Sequence, residues 1–391
     1  MKKNDTIYTL QQNIEIPDIV TEKANMAFEQ IRKDAGSSSD KIVTYQKPAK
    51  KSRKKYVVAA LIATMTVGAV SAYAAYTNWS HGMKEELRIS EEQQKNLEAN
   101  GMAAFSDVSV TDAGVTVIAQ QSITDNYYTY LSFKVEGYSV EKGVQPDFET
   151  ISVTADGQDV SWGGRFYDGM ISGNDGMFVN ADGSEPETEA DGSMIENYMM
   201  DDGSLEYHMI LKSHEKGFFT GKQLHVELEN LGTVAKAQYF PDIEGSWILD
   251  MTLGGADTAK YIETNEKLGD TETIVTGVEL SPVSMRVTYD FPKTEPRMEE
   301  FEDENGEIQT VAWPAQPPFA FGIRLKDGTV MKYISAGSES TGYTSEEGQE
   351  YVVSFPLDRV IDPDQVETVL FSEYDEENGK QLTYEVPLKA N

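Results

Sequence analysis

Residues 56–76 read YVVAALIATMTVGAVSAYAAY, 21 consecutive positions without a charged side chain, and this run constrains the chain more than any other feature. As an α-helix rising about 1.5 Å per residue it is roughly 30 Å long, the depth of bilayer hydrocarbon. A single transmembrane helix is therefore expected. Lys47, Lys50, Lys51, Arg53, Lys54 and Lys55 crowd its N-terminal side, whereas Lys84, Arg88 and Lys95 on the other side are outnumbered by Glu85, Glu86, Glu91 and Glu92. Cationic flanks favour the cytoplasm, so Lys50, Lys51, Arg53, Lys54 and Lys55 act as orienting residues, with the N-terminus cytoplasmic and the C-terminus extracellular. Tyr56, Tyr73, Tyr76 and Trp79 stand where interfacial aromatics anchor a span. Two other readings stay open: Ala72-Tyr73-Ala74 has the small-x-small form of a signal-peptide cleavage site, and the run could be a buried soluble helix. Against the first, the 55 residues ahead of the run far exceed a usual signal-peptide leader.

The charge divides at the same place. Residues 1–55 hold 12 basic and 7 acidic side chains, and the remainder holds 21 basic and 59 acidic ones. A formal net charge of −33 repels phosphates over most of the surface, so no direct nucleic-acid partner is expected. The chain has no cysteine, which excludes thiolate metal sites, disulfides and cysteine nucleophiles. Twenty Tyr, fifteen Phe and four Trp argue against wholesale disorder.

In the cytoplasmic tail, 1–55, Asp18 can cap a helix running to about Arg32, with Val20, Ala24, Ala27, Phe28 and Ile31 on one face. Nothing else in the tail is available to cover that stripe, and an isolated helix of this length is marginal in water, so these five residues are the candidate partner-binding surface. The competing reading is a frayed segment or one lying on the inner leaflet. The GSSSD stretch at 36–40 then serves as a linker.

Beyond the span, a juxtamembrane segment (77–104) has helical composition over 84–99 and stops at Asn100-Gly101. After it the apolar residues alternate, as in half-buried strands. Val115 and Val117 begin the series, followed by Leu131, Phe133 and Val135, Leu205 to Leu211, Leu224 to Leu228, and Trp247 to Leu253. Residues 257–272 turn polar and suggest a linker. A second series then runs through Val283, Met285, Val287 and Tyr289, through Phe319, Phe321, Ile323 and Leu325, through Tyr351, Val353 and Phe355, and through Leu382, Tyr384 and Val386. Asp156-Gly157, Asp202-Gly203, Asn305-Gly306, Asp327-Gly328 and Asn378-Gly379 supply tight turns. The expectation is mainly β, with β-sandwich domains over 105–256 and 273–391.

The segment ISEEQQKNLEANGMAAFSDVSVTDAGVTVIAQQSITDNYYTYLSFKVEG, residues 89–137, together with the lysine-rich membrane entry, resembles domain-of-unknown-function family 4179. These are bacterial single-pass membrane proteins often described as anti-sigma-like and typical of Gram-positive organisms. The sequence ETIVTGVELSPVSMRVTYDF, from about Thr273, resembles the immunoglobulin-like domain that commonly follows. The resemblance implies two immunoglobulin-like ectodomains and a tail that holds an extracytoplasmic-function sigma factor at the cell membrane until an outside ligand, protein or stress releases it. The tail departs from zinc-bearing anti-sigma domains in having one clear helix and no cysteine. The alternative is a surface-anchored binding or adhesion protein whose tail only secures topology.

Catalytic signatures are lacking. His81, His208, His214 and His225 include no pair at helical metal-ligand spacing, and there is no nucleophile elbow, phosphate loop or dinucleotide turn. No enzyme and no cofactor are expected. His208 and His225 fall in strand patterns as solvent-facing members. Within the acidic, glycine-rich stretch 168–202, Asn180, Asp182 and Ser184 alternate as calcium-loop oxygens do, but the closing glutamate is missing, so a solvated hairpin insertion is the favoured reading and calcium the weaker one.

Overall fold

The computed structural model describes residues 79–302, 308–375 and 379–388. Residues 56–76 and the tail lie outside the described residues, and among the described ones no helix is long and apolar enough to cross a membrane. The described chain is mainly β, with two α-helices at its start.

The helical composition of 84–99 resolves into α1 (His81–Glu86) and α2 (Glu91–Ala99) rather than one helix. Leu87 and Ile89 are both buried, and Arg88 between them has φ 51°. A continuous helix would point positions two apart in nearly opposite directions, whereas this break turns both side chains into one apolar cluster. Ser90 restarts the helix with a capping box, its hydroxyl accepting from Gln93 N while the Gln93 side chain accepts from Ser90 N. Gly101, at φ 74°, ends α2 where Asn100-Gly101 was expected to stop it.

The first body contains β1 (Ala103–Phe105), β2 (Ser109–Asp112), β3 (Val115–Thr124), β4 (Tyr128–Glu136), β5 (Gln145–Ala155), β6 (Gln158–Asp159), β7 (Ser161–Phe166), β8 (Met170–Ser172), β9 (Phe178–Asn180), β10 (Leu205–Lys212), β11 (Gln223–Ala235) and β12 (Gln238–Thr252). One sheet has the order β1-β3-β4-β10-β7 with β2 also on β3; the facing sheet is β12-β11-β5-β6. Val117, Phe133, Tyr207 and Met209 of the first enclose one core with Phe148, Val226, Leu228 and Trp247 of the second. Trp247 Nε1 donates to Val115 O at 3.0 Å, fastening the sheets where their apolar faces meet. Asp156 and Gly157 both take positive φ in the turn from β5 to β6, as their dipeptide predicts.

The second body contains β13 (Lys260–Lys267), β14 (Ile274–Leu280), β15 (Ser284–Asp290), β16 (Arg297–Glu302), β17 (Ile308–Trp313), β18 (Phe319–Leu325), β19 (Val330–Lys332), β20 (Ser340–Tyr343), β21 (Glu350–Pro356), β22 (Val366–Asp375) and β23 (Lys380–Pro387). Its sheets are β13-β14-β15-β21-β20 and β19-β18-β22-β23, sharing a core that includes Val278, Val287, Tyr289, Phe355, Ile323, Val369 and Phe371. The stretch expected to be a linker thus supplies strand β13. Its residues KYIETNEK are largely charged or polar because it is an edge strand, and such side chains protect an open edge from further pairing.

Strand β18 departs from simple alternation. A bulge between Ala320 and Gly322 sends Ala320 and Ile323 into the core, while Phe319 is left 48% exposed. The two bodies meet over a third cluster: Met83, Leu87, Ile89 and Leu97 of the helical segment, Ile123 and Tyr130 of the first body, and Val283 and Val360 of the second.

Candidate functional site

Strands β4 and β10 are almost continuously buried, so the sheet that carries them is covered on both faces. Leu205, Tyr207, Met209 and Leu211 enter the core. Glu206 and His208, on the opposite face of β10, meet α1 instead of solvent. His208 is therefore corrected from a solvent-facing residue to one only 6% exposed, because the helical segment caps the face that alternation alone assigns to water.

Glu206 is the hub of this buried cluster. Its Oε2 accepts from Ser80 Oγ at 2.5 Å and Gly82 N at 3.0 Å, and its Oε1 accepts from His81 N at 3.1 Å. Ser80, the N-cap of α1, also accepts from Met83 N at 3.1 Å and from Ser132 Oγ at 2.7 Å. The carboxylate thus satisfies backbone donors that a helix start leaves without partners. Position 82 must be glycine for so close an approach: a Cβ there would stand 2.7 Å from Glu206 Oε2 and 2.8 Å from Tyr167 Cδ1.

His208 completes the cluster. Its Nε2 lies 3.1 Å from Glu206 Oε2 and its Nδ1 2.5 Å from Glu86 Oε2, and the Tyr167 ring stacks on it at 5.4 Å. Arg165 then bridges Glu86 Oε1 at 2.6 Å and Asp168 Oδ2 at 2.9 Å. Burial pulls the imidazole pKa down, but the charges and hydrogen bonds of Glu86 and Glu206 outweigh it and lift the value to about 9. Burial pushes Glu206 up, and His208, Ser80 and the Gly82 N–H outweigh that, leaving it at about 2. Glu86 is lowered too, against its burial, by His208 and Arg165. An imidazolium held between two carboxylates, with both ring nitrogens occupied, has no free lone pair to offer a substrate. What the arrangement does is clamp α1 to β10.

A second polar cluster joins the bodies. Asp125 Oδ1 accepts from Tyr127 N and Tyr128 N, each at 2.9 Å, while Oδ2 accepts from Ser281 Oγ and, at 2.5 Å, from Ser284 Oγ. Tyr130 Oη donates to Leu357 O at 2.6 Å, and Val360 N donates to Leu87 O at 2.8 Å. Arg359, 2% exposed, reaches Asp358 and Asn174 Oδ1. Arg88 lies 3.9 Å from Asp358, inside ion-pair range, yet its buried Nε and Nη2 make no hydrogen bond. Burial and Arg359 lower its pKa. Beside α2, a polar cleft of about 530 Å³ is lined by Gln93, Asn96, Asn100, Lys260, Asp362 and Gln365 among others.

Asn180, Asp182 and Ser184 fall at the end of the β8–β9 hairpin. Asn180 Nδ2 donates to Ser184 Oγ at 2.9 Å, and Asp182 Oδ1 accepts from Ser184 N at 2.9 Å, so these groups bond one another within a turn. Among the described residues no group of three or more His, Asp or Glu converges as a metal site. Val20, Ala24, Ala27, Phe28 and Ile31, and Lys50, Lys51, Arg53, Lys54 and Lys55, lie outside the described residues. Ser80, Glu86, Asp125 and Glu206 were not anticipated. The signal for Glu206 and His208 was their spacing of two on a strand, next to the nearly unbroken apolar run YYTYLSF of a strand covered on both sides.

No family model and no curated protein matches the chain. Among solved structures, the conserved domain protein from Bacillus anthracis is similar to it, with TM-score 0.39 and 12% identity over 75% of this chain and 94% of that one. A likeness of that size carries no argument about function.

Proposed function

We propose that the chain is a membrane-anchored, anti-sigma-factor-like regulator. The observation that carries this reading is the charge-free run at 56–76, set between a basic N-terminal segment and an acidic remainder. In it the run is the single membrane span, the two β bodies are immunoglobulin-like domains outside the cell, and the tail docks an extracytoplasmic-function sigma factor through Val20, Ala24, Ala27, Phe28 and Ile31. The resemblance of residues 89–137 to domain-of-unknown-function family 4179 supplies the partner. The ectodomain senses an envelope signal and performs no catalysis.

The clamp on α1 supports a route for that signal. Helix α1 begins at His81, five residues past Tyr76, and is held to β10 by Glu206 at its start and, through its own Glu86, by His208 at its end. A ligand that loosens this cluster or the seam beside it changes how firmly the chain is held where it leaves the span.

The test is co-purification of the full-length chain with the sigma factor encoded beside it, repeated with Phe28→Asp. Capture by the wild type and its loss in the variant is the expected result. A wild-type chain that captures nothing, or a variant that captures equally well, overturns sigma docking and leaves the surface-anchored binding protein as the better reading.

A further inference from the structure

The bulge in β18 has an effect outside the core. It places Phe319 and Phe321 toward the outer face of the β19-β18-β22-β23 sheet, where their rings lie 6.2 Å apart. The Tyr333 ring follows at 5.9 Å from Phe321. Tyr333 has φ 54°, a conformation costly for an aromatic residue, and its ring lies over Gly176 in the turn between β8 and β9. A Cβ at Gly176 would stand 2.1 Å from Tyr333 Cδ2. Lys332 N donates to Asn174 O at 2.8 Å, which pins the same turn to the second body. The next two residues of the insertion are Met177 and Phe178. Phe319, Tyr333, Met177 and Phe178 are 48%, 57%, 68% and 53% exposed, so apolar side chains stand open to solvent on both sides of the contact between Tyr333 and Gly176.

Charge selects what can cover these side chains. Residues 168–202 contain ten acidic side chains and no basic one; Arg165, Lys142 and Lys134 pair with Asp168, Glu187 and Asp202, and the other seven acidic side chains leave the insertion net negative. Anionic lipid would be repelled by these carboxylates, and a second copy of a chain with net charge −33 would be repelled as a whole. A basic partner gains from both features, since the aliphatic stem of Arg or Lys covers apolar surface while its cation meets an aromatic face or a carboxylate. The chain uses this contact internally, with Lys222 Nζ 3.7 Å from the Phe218 ring centre and Lys293 Nζ 4.7 Å from that of Tyr343.

We infer that Phe319, Tyr333, Met177 and Phe178 form a docking surface for a cationic polypeptide segment in which basic and apolar side chains alternate. The inference goes beyond the proposed regulatory role and does not depend on the tail binding a sigma factor.

The experiment uses the full-length chain in a nonionic detergent and two labelled twelve-residue peptides, one alternating Arg with Leu and the other alternating Arg with Gly. The expected result is that the arginine–leucine peptide binds at least about tenfold more tightly than the arginine–glycine peptide, because only it covers the exposed apolar side chains. Phe178→Ser combined with Tyr333→Asn removes most of that difference, and Phe178→Trp retains it. Equal binding of the two peptides to the wild type, or an unchanged preference in the double variant, overturns the proposal. So does a wild-type chain that binds neither peptide but sediments with phosphatidylglycerol vesicles, or one that self-associates through this surface.

Discussion

Strands β10 and β11 each present a histidine flanked two residues away by a glutamate, and the two sites behave as opposites. On β10, His208 is buried between Glu206 and Glu86 under a helix. On β11, His225 lies half-exposed between Asp250 at 2.7 Å and Glu227 at 3.0 Å. The side chains are nearly the same; the covering layer differs. An exposed ion pair is weak because water and salt screen it, whereas removing one member of a buried pair strands its partner in a medium that cannot solvate it. The local motif therefore sets which contacts form, and the layer above sets what they are worth.

The sharpest way to break the comparison is to remove one carboxylate from each site. Glu206→Ala leaves His208 with one counter-charge and strips acceptors from Ser80, His81 and Gly82, so urea unfolding should show a loss of about 3–5 kcal/mol. Glu227→Ala should cost less than about 0.5 kcal/mol, since its histidine remains in water. Equal losses would refute the role given to burial.

A smaller effect is expected from crowding the clamp without touching its charges. Gly82→Ala forces a methyl group against Glu206 and Tyr167 and should cost about 1–3 kcal/mol in the same measurement, as overpacking does. Protease should then cut residues near α1 sooner than in the wild type.

The pH dependence sharpens the contrast further. Because the folded-state value of His208, about 9, exceeds the ordinary 6.5, its contribution is complete below pH 6.5 and disappears as pH rises through 9. Glu206 moves the other way: its folded value of about 2 lies below 4.5, so its contribution is complete above pH 4.5 and disappears as pH falls through 2. Stability should therefore be highest near pH 5–6 as far as this cluster is concerned, with an alkaline decline on the order of 3 kcal/mol in denaturant midpoints converted to free energy. His208→Gln should lower the plateau and flatten that decline. His225→Gln, the smallest effect of the set, should leave stability within about 0.5 kcal/mol and the alkaline decline in place.

Much of the β architecture was legible because a strand half-covered by a core advertises itself by alternation. Leu224, Val226 and Leu228 of β11, and Trp247, Leu249 and Met251 of β12, are buried as their spacing requires. The tight turn at Asp156-Gly157 was equally plain. Three features were not legible, each for a stated reason. Edge strand β13 carries little apolar signal because its neighbours on one side are water. The bulge in β18 shifts alternation by one residue, so Phe319 emerges where a core residue was expected. His208 looked exposed because alternation reports only the body a strand belongs to, and the layer over its second face comes from α1 and the seam, over a hundred positions away. The candidate site was therefore hidden, although Glu206-x-His208 beside a doubly apolar neighbour strand was its trace.

The arrangement of the chain across a membrane can be measured directly because the sequence has no cysteine to interfere. Ser38→Cys marks the tail and Glu346→Cys marks an exposed loop of the second body. A membrane-impermeant maleimide applied to intact cells should label Glu346→Cys alone, and both should label after lysis. Labelling of Ser38→Cys in intact cells, or protection of Glu346→Cys, would contradict the two-sided arrangement.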